Sequence, residues 1–408
     1  DNLKESKANL IIKGIDPTIE DKDYPIGQMW FNKENGSLFI LKKIDEEGAY
    51  WAVNEEHREV APFKFGPYEF KVDENNTNPE TAVTYTENAV GKTPAKVSDL
   101  GSWEKEIKKL ATPVLLKNGQ VQYELQHDDF TKKKDGSPSN LTGDDGDVMI
   151  RMPHIYIKEN HSGNIKNVVL TDEPTDGFVS YTKQTEKGYN QLSWGLLMTL
   201  QHLYLLFYKN RDSQTALGRG SVDWTSSDEF LKTGGTNTKP FCFGETSGKQ
   251  QMKFLGIEDF WGNKTQWVDG LVSDSSYNGK VGYSNFNDRG NGYRTISTAN
   301  SGSLSGYFKS TQGGELGYLL KDDGTASSST DYTDYGFLSS GSVAYFGGDR
   351  SIESYAGAFC VSVHNSASNA YSSRSARLCF VDDDYFYIGS YLGSGINGKL
   401  RRDRKSVV

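Results

Sequence analysis

The chain has 408 residues and a formal net charge of −9 at pH 7. Nucleic-acid-binding surfaces concentrate Lys and Arg on one face, so this acidic balance argues against a nucleic-acid partner. Hydrophobic residues make up 35% of the chain, and its 43 glycines bring the apolar share near that of ordinary globular proteins. With 23 Tyr but only 11 Pro and 5 Met, the composition favours short strands and long ordered loops over a helical bundle.

Lysine is unevenly distributed along the chain. Residues 322–398 contain no Lys, but they hold eight Tyr, three Arg and nine acidic residues. Lys is depleted in the cores of protein interfaces and loses much side-chain entropy when it is immobilised. This lysine-free tract is therefore the first candidate for a binding surface.

The remaining compositional signals exclude several other classes. Cys242, Cys360 and Cys379 are an odd number without CxxC spacing, so they predict neither a zinc ribbon nor a disulfide framework. The most apolar run, residues 192–208, is too short and too polar to span a bilayer. No basic segment followed by an apolar one opens the chain, so no signal peptide is indicated.

Residues 1–60 predict a small β module. Apolar runs at 28–31 and 38–41 flank Asn35-Gly36, which is a hairpin pattern, and 49–53 adds a third strand. Three strands bury little surface, so we expect this module to pack against a neighbouring domain or a partner chain. Its expected role is attachment or oligomerisation.

Residues 61–408 predict one larger domain of short strands. The predicted strands are 63–65, 68–72, 114–116, 121–125, 148–150 and 154–157. A short helix over 102–110 is expected to be capped by Ser102. Apolar residues at three- and four-residue spacing predict a longer, largely buried helix over 192–208, with no comparable helix after Ser221. The fold class is therefore α+β, with one or two helices.

Two motifs resemble ligand sites. Gly393–Gly398 matches GxGxxG, but no long strand precedes it and only ten residues follow, so it predicts a turn. The acidic clusters at 144–147 and 382–384 could ligate calcium, although neither has EF-hand spacing. We therefore expect no cofactor, and calcium is left open.

No catalytic constellation is evident. Glu258 and Asp259 are adjacent, so on a strand they would point to opposite faces and form a poor acid/base pair. The chain has no GxSxG or HExxH motif, and no His has an obvious Ser or Cys partner. The sequence predicts a protein that is not an enzyme.

Candidate contact positions lie within residues 349–374, the candidate segment. Small or apolar pieces at 346–348, 356–359, 366–368 and 376–378 alternate there with polar and aromatic residues. Mixtures of Tyr, Ser and Asn suit a paratope, because Tyr supplies rigid amphipathic area and Ser and Asn supply adaptable hydrogen bonds. The predicted ligand-binding residues are Asp349, Arg350, Ser351, Ile352, Glu353, Tyr355, Cys360, Ser362, His364, Asn369, Tyr371, Ser373 and Arg374. The alternative is a polar loop with no partner.

The same residues carry a family resemblance. Residues 254–270 resemble the core segment of formylglycine-generating-enzyme-like C-type lectin folds, in which a Gly-Asn turn and a Trp anchor the central sheet. Residues 346–379 are similar to the variable region of lectin-fold proteins diversified by retroelements. Ser375 stands where that family has Gly, and Asp349-Arg350 replaces its common Ser/Asn-Trp.

Further segments resemble phage-borne members of this group, and the resemblance spans about 63–380. These segments are 117–123, 134–143 and 217–220, and the 25–32 hairpin with Trp51 is similar to small modules of phage tail fibres. The resemblance implies a C-type lectin-like domain over 61–408 with a variable region at about 344–380. It also implies a phage tail-tip adhesin, located extracellularly on the virion tail. This adhesin would be a homotrimer that binds a host cell-surface protein or glycan and does not insert into a membrane.

Two alternatives share the fold. One is a bacterial surface protein with no phage origin. The other is a formylglycine-generating-type enzyme, which needs two nearby Cys just after the Gly-Gly segment. Residues 349–359 contain no Cys, and Cys360 and Cys379 lie 19 positions apart, so oxidase activity is not implied.

Overall fold

A computed structural model shows how the chain is organised. It describes residues 10–18, 20–24, 26–33, 37–45, 48–53, 64–225, 227–296, 303–314, 316–321 and 324–393. Contacts divide the chain into two compact units, an N-terminal unit, Asp1–Lys64, and a C-terminal unit, Phe65–Val408. Strands hold 39% of the residues and helices 11%, which is compatible with the predicted α+β class.

The N-terminal unit is one four-stranded sheet. Its strands are β1 (Ile11–Lys13), β2 (Met29–Asn32), β3 (Ser37–Asp45) and β4 (Gly48–Val53), in that spatial order. β1 is parallel to β2, and the other pairs are antiparallel. The predicted hairpin and third strand are confirmed and β1 is additional, whereas the Asn35-Gly36 turn lies outside the described residues.

The core of this sheet is small and aromatic. Trp30 is fully buried, and its ring meets those of Trp51 and Tyr24 edge-on at 5.5 and 6.0 Å. Several large aliphatic side chains of the unit are instead exposed: Leu10, Ile12, Ile15, Ile26 and Ile44. The unit therefore buries little apolar surface, as expected for so few strands.

The first part of the C-terminal unit contains its helices. Its strands are β5 (Tyr68–Asp73), β6 (Val83–Thr86), β7 (Thr112–Lys117), β8 (Gln120–Gln126), β9 (Asp129–Lys133), β10 (Asp147–Pro153), β11 (Tyr156–Ser162), β12 (Ile165–Thr171) and β13 (Gly188–Gln191). Its α-helices are α1 (Glu104–Leu110), α2 (Tyr181–Gln184), α3 (Trp194–Tyr208) and α4 (Ser213–Ala216).

The second part consists of strands and loops. The strands are β14 (Lys253–Phe254), β15 (Ile257–Glu258), β16 (Thr265–Ser273), β17 (Gly279–Val281), β18 (Arg294–Thr295), β19 (Leu304–Phe308), β20 (Ser310–Gly314), β21 (Gly317–Lys321), β22 (Tyr332–Leu338), β23 (Val343–Phe346), β24 (Val361–Asn365), β25 (Arg374–Ser375), β26 (Leu378–Val381) and β27 (Tyr385–Gly389). Single 3₁₀ turns occur at Glu87–Ala89, Gly101–Trp103 and Glu353–Tyr355.

Three larger sheets form the C-terminal unit. One has the order β11-β12-β5-β6, and a seven-stranded sheet has the order β13-β26-β27-β10-β7-β8-β9. An eight-stranded sheet has the order β18-β17-β16-β23-β24-β22-β19, with β25 beside β16. The sheets combine strands that are far apart in sequence, so long-range pairing dominates the fold.

Helix α3 is the buried centre of this unit. All 15 of its residues are buried, and the helix begins after Ser193, whose hydroxyl accepts the amide hydrogen of Leu196 at 3.4 Å. The polar residues that interrupt the apolar run are bonded, since Gln201 donates to the carbonyl of Ala358 at 2.8 Å. The predicted helix is confirmed, and it is covered on every side.

Some predicted details are wrong. Ser102 does not cap α1, because it lies in the 3₁₀ turn before the helix and its hydroxyl accepts the amide of Thr93 at 2.7 Å. Phe65 is fully buried but is not part of a strand, and Phe63 lies outside the described residues. His154 precedes β11, and its ring hydrogen-bonds Thr182 at 3.0 Å.

A fully buried arginine joins the strands of the two largest sheets. Arg377 follows β25, and none of its surface is exposed. Its five N–H groups donate to Gln266 Oε1 at 2.7 Å and to the carbonyl oxygens of Gly389 (2.8 Å), Ser390 (2.8 Å), Glu258 (2.9 Å) and Asp259 (2.8 Å). Burial lowers the pKa of Arg377 to about 10, so the guanidinium stays charged at neutral pH. Every donor is satisfied, which is what a buried charge requires.

We predict that Arg377→Met strongly destabilises the C-terminal unit. The substitution leaves buried carbonyl groups without donors, at about 1–3 kcal/mol for each unsatisfied group, so we expect a total loss of at least about 3 kcal/mol. Chemical denaturation measures the free energy of unfolding. Arg289→Met, at an exposed arginine, is the matched control and should change it by less than about 0.5 kcal/mol. Equal effects of the two substitutions would contradict this role.

Candidate functional site

The outer face of the eight-stranded sheet carries aromatic side chains where a solvated sheet face is usually polar. Tyr307 on β19 pairs with Tyr335 on β22, and Phe337 on β22 pairs with Ser305 on β19 and Ser362 on β24. Neighbouring residues that point to the other face are buried: Leu304, Leu338, Val361 and Val363. We call the half-buried rings of Tyr307, Tyr335 and Phe337 the aromatic floor.

The aromatic floor contacts two predicted ligand-binding residues. Tyr355, 42% exposed, stacks on Tyr335 with ring centroids 4.3 Å apart, and Tyr307 meets it edge-on at 5.8 Å. The exposed ring of His364 lies 4.6 Å from Phe337. Residues separated by tens of positions thus form one continuous aromatic surface. Exposed apolar patches of this kind mark interaction sites.

The other accessible residues of the candidate segment lie on its loops and on β24. Ser351, Glu353 and Tyr371 are exposed, and the Tyr371 side chain is 62% exposed. Half-buried positions are Ile352, Ser362, Asn369 and Ser373. Asn369 donates to Asn365 Oδ1 at 2.6 Å, which braces the loop after β24.

Arg374 and Asp349 connect the two ends of the candidate segment. Arg374 Nη1 lies 3.6 Å from Asp349 Oδ2, and their side chains are only 17% and 14% exposed. The Arg374 guanidinium also lies over the Tyr345 ring at 4.8 Å and the Tyr371 ring at 5.9 Å. The pair neutralises both charges beside the aromatic floor.

Two predicted contact residues are not accessible. Arg350 is 8% exposed, its guanidinium stacks on Phe230 at 3.6 Å, and Nε donates to the Thr225 carbonyl at 3.3 Å. Cys360, which directly precedes β24, is 4% exposed. Neither side chain reaches a ligand in this conformation, so both are corrected from contact residues to core residues.

Side chains from outside the candidate segment hold its backbone from below. They come from α3, α4 and β22, and their bonds to the segment reach main-chain atoms. Two of them donate to carbonyl oxygens: Gln214 Nε2 to those of Glu353 and Ala356 and Gln201 Nε2 to that of Ala358, each at 2.8 Å. The other two accept backbone amides: Ser213 Oγ accepts the Ala358 amide at 3.0 Å, and Asp334 Oδ2 accepts the Phe359 amide at 2.7 Å. We call Gln201, Ser213, Gln214 and Asp334 the anchor residues.

Asp334 and Gly357 show how tight this support is. Burial raises the pKa of Asp334 well above its usual range, and its carboxyl group lies directly under the segment, where it accepts the Phe359 amide. A Cβ on Gly357, at φ +154°, would lie 2.1 Å from Asp334 Oδ1. Only glycine fits at this position, which accounts for the Ala-Gly-Ala framework piece.

Main-chain bonds from other loops complete the support. The amide of Arg350 donates to the Asn263 carbonyl at 3.1 Å, and the amide of Glu353 donates to that of Val222 at 3.1 Å. At the far end, the amide of Thr265 donates to the Ser373 carbonyl at 3.0 Å. These contacts involve no side chain of the candidate segment. Its exposed residues can therefore be substituted without loss of these main-chain hydrogen bonds.

The groups considered for catalysis serve structural roles. Glu258 and Asp259 are both 1% exposed; the Glu258 carboxylate accepts the amides of Gly234 and Thr236 at 2.8 and 2.7 Å. Asp259 accepts from Gln251 at 2.8 Å, and burial raises its pKa to about 8. Both carboxyl groups are therefore engaged in buried hydrogen bonds that hold neighbouring loops.

The three cysteines are buried free thiols. Burial raises the pKa of Cys242 to about 11 and that of Cys360 and Cys379 further, so each thiol stays protonated at neutral pH. The thiolate is the nucleophile in cysteine chemistry. These environments therefore give no support to a reactive-thiol mechanism.

The acidic clusters form turns. Asp382 Oδ1 accepts the amides of Asp384 and Tyr385 at 2.9 and 2.7 Å, and Asp383 pairs with Lys187. In the part of the chain that the structure describes, no three His, Cys, Asp or Glu side chains are grouped as metal ligands. The GxGxxG motif lies, apart from Gly393, outside the described residues.

The aromatic floor and the anchor residues were not predicted. Tyr335 and Phe337 alternate within residues 332–338, a period-two signal that favours a strand with both rings on one face. The polar Gln201 within the apolar run of α3 was a further signal, because a buried amide needs a partner. Their proximity to residues 349–374 depends on strand order, so it could not be predicted from neighbouring residues in the sequence.

Comparison with known proteins does not identify the chain. No protein-family model matches it, and no curated protein matches it either. Among the helices that the structure describes, none combines the length and hydropathy needed to cross a membrane.

We predict that Gln214→Leu loosens the 3₁₀ turn that carries Tyr355. The substitution removes both hydrogen bonds and takes the Gln214 donor from the buried Ala356 carbonyl, at about 1–3 kcal/mol of local stability. Amide hydrogens of residues 353–359 should therefore exchange at least about fivefold faster. Hydrogen-exchange mass spectrometry measures this. The control is Gln122→Leu, at an exposed glutamine whose amide donates within its own strand. Unchanged exchange in the turn would remove Gln214 from the anchor residues.

We predict that His364 titrates below its ordinary value of 6.5, because desolvation and the Arg374 guanidinium both lower its pKa. Its imidazole is then neutral at pH 7. Removing the cation in Arg374→Gln should raise the midpoint, whereas Arg151→Gln, on the seven-stranded sheet, should not move it. NMR of the ring protons against pH measures both. A downward shift in Arg374→Gln would contradict the proximity of the two groups.

Proposed function

We propose that the chain is a ligand-binding adhesin, the receptor-binding protein of a phage tail tip, that presents residues 344–380 on a C-type lectin-like fold. The observation that carries the proposal is the separation of backbone from side chains in the candidate segment. Anchor residues hold its main chain, and its accessible side chains meet on one sheet face. A surface that changes its chemistry without losing its shape needs this separation.

The accessible side chains suit recognition. Tyr and Arg dominate the energetics of protein interfaces, and Lys is depleted there. Tyr355, Tyr371 and His364 provide exposed rings, while Arg374 is already oriented by Asp349. Preorganised groups lose less entropy on binding, so a few of them can supply most of the affinity. The ligand would be a host cell-surface protein or glycan.

The lectin-like fold is supported by the segment that carries the family resemblance. Trp261 is fully buried and its indole N–H donates to the Arg219 carbonyl at 3.1 Å. The adjoining Gly262 and Asn263 both have positive φ, and Asn263 Nδ2 donates to Asp259 Oδ2 at 2.7 Å. This buried turn and Trp are the features that the resemblance implies for the central sheet.

The N-terminal unit supports attachment and oligomerisation. Its exposed aliphatic side chains, among them Ile12 and Ile15 at 60% and 63%, are those of a module that packs on other surfaces. A homotrimer on a virion tail would present three copies of the outer face, and multivalency would strengthen contacts that are weak singly.

We predict that the double variant Tyr355→Ala/Tyr371→Ala weakens binding to host cells at least about tenfold, because interface tyrosines commonly contribute more than about 1.4 kcal/mol. Binding of fluorescently labelled protein to intact bacteria measures this. Tyr189→Ala/Tyr385→Ala is the matched control, since both residues are 39% exposed but lie on the seven-stranded sheet. Undiminished binding of the first variant would exclude this face as the site.

The retroelement origin has its own test in the flanking DNA. We expect a near-copy of the codons for residues 349–374 that differs mainly at adenines, beside a reverse-transcriptase gene. Neighbouring tail genes would support the phage assignment, whereas a lipobox before Asp1 would support a bacterial surface protein. A locus with no such repeat would refute diversification, although a fixed adhesin would remain compatible with the binding experiment.

A further inference from the structure

The aromatic floor lies outside the segment to which the family resemblance assigns recognition. Tyr307 belongs to β19 and Tyr335 and Phe337 to β22, all before residue 344. These rings nevertheless share a face with Ser362 and His364 of β24, because Phe337 pairs with Ser362 across parallel strands. A ligand that covers the segment on this face would therefore also cover the floor.

We infer that the aromatic floor is a constant part of the binding site that takes uncharged apolar side chains of a protein partner, while residues 349–374 set specificity around it. This inference rests on the proposed function. Tyr335 stacks on Tyr355 at 4.3 Å and an interplanar angle of 29°, so the floor directly supports the main exposed ring of the segment.

The chemistry of the floor favours an apolar side chain as occupant. Phe337 has no polar group, and the hydroxyls of Tyr307 and Tyr335 already meet those of Ser354 and Ser305 at 3.2 and 3.4 Å. A polyhydroxylated ligand needs a hydrogen-bond partner for each hydroxyl it desolvates, which these engaged groups supply poorly. An aliphatic or aromatic side chain needs only apolar area.

The charges around the floor point the same way. Arg374 and Asp349 of the segment neutralise one another at 3.6 Å, and the exposed Glu353 begins the 3₁₀ turn that carries Tyr355. His364 borders Phe337, and its lowered pKa keeps the ring neutral at pH 7. The three rings of the floor are themselves uncharged, on a chain whose net charge is −9. An uncharged protein side chain complements it, whereas a charged group would be desolvated without a partner.

The test uses full-length protein and intact cells of a bacterial strain that binds it, chosen from a strain panel. Tyr335→Ala and Phe337→Ala should each weaken binding at least tenfold, and Tyr335→Phe should restore it because the ring is kept. Thermal unfolding of each variant separates loss of binding from loss of fold. Tyr189→Ala/Tyr385→Ala, on the seven-stranded sheet, is the control. Cells shaved with protease should lose binding, and cells oxidised with periodate should keep it.

The outcomes separate this inference from the proposed function. If folded Tyr335→Ala and Phe337→Ala bind like wild type while Tyr355→Ala/Tyr371→Ala does not, the floor plays no part and the proposed function stands. If periodate abolishes binding and protease does not, the occupant is a glycan and the inference is overturned. If the protein binds no strain in the panel, or if neither set of variants weakens binding, the proposed function and the inference fall together.

Discussion

The buried guanidinium of Arg377 is the interaction on which the C-terminal unit depends. Its donors reach the turn at Glu258 and Asp259, the side chain of Gln266 on β16, and the end of β27. A buried charge is costly unless its donors are satisfied, so an arrangement that separates these elements would leave buried donors of Arg377 unpaired. Because Arg377 lies two residues after the end of β25, the same contacts hold the chain just beyond the far end of the candidate segment.

The middle of the segment is held by a second set of buried polar contacts. Gln201 and Gln214 donate to its carbonyls, and Ser213 and Asp334 accept its amides. Hydrogen bonds to the main chain do not depend on which side chain each residue carries. The fold thus constrains the path of the segment strongly and its outward side chains weakly, so a substitution at an outward position should leave that path unchanged.

Several features could be predicted because their signals are local. The apolar repeat of α3 and the Lys117-Asn-Gly-Gln120 turn of the β7–β8 hairpin lie within a few residues, and both elements formed as predicted. Burial was harder to predict. Arg350 and Cys360 look like contact residues in a polar segment, but Phe230 and the sheet interior cover them, and these neighbours are distant in sequence.

By itself, the sequence determined the β-rich class, the one long buried helix, and the lysine-free tract rich in Tyr, since composition and short-range periodicity record those properties. Only the tertiary structure decided which residues of the tract are accessible and that Tyr307, Tyr335 and Phe337 lie beside them. The reason is that strand order and register set the neighbours on a sheet face, and pairing across many residues leaves no local pattern. The anchor residues follow the same logic, because a buried amide shows that a partner exists but not which one.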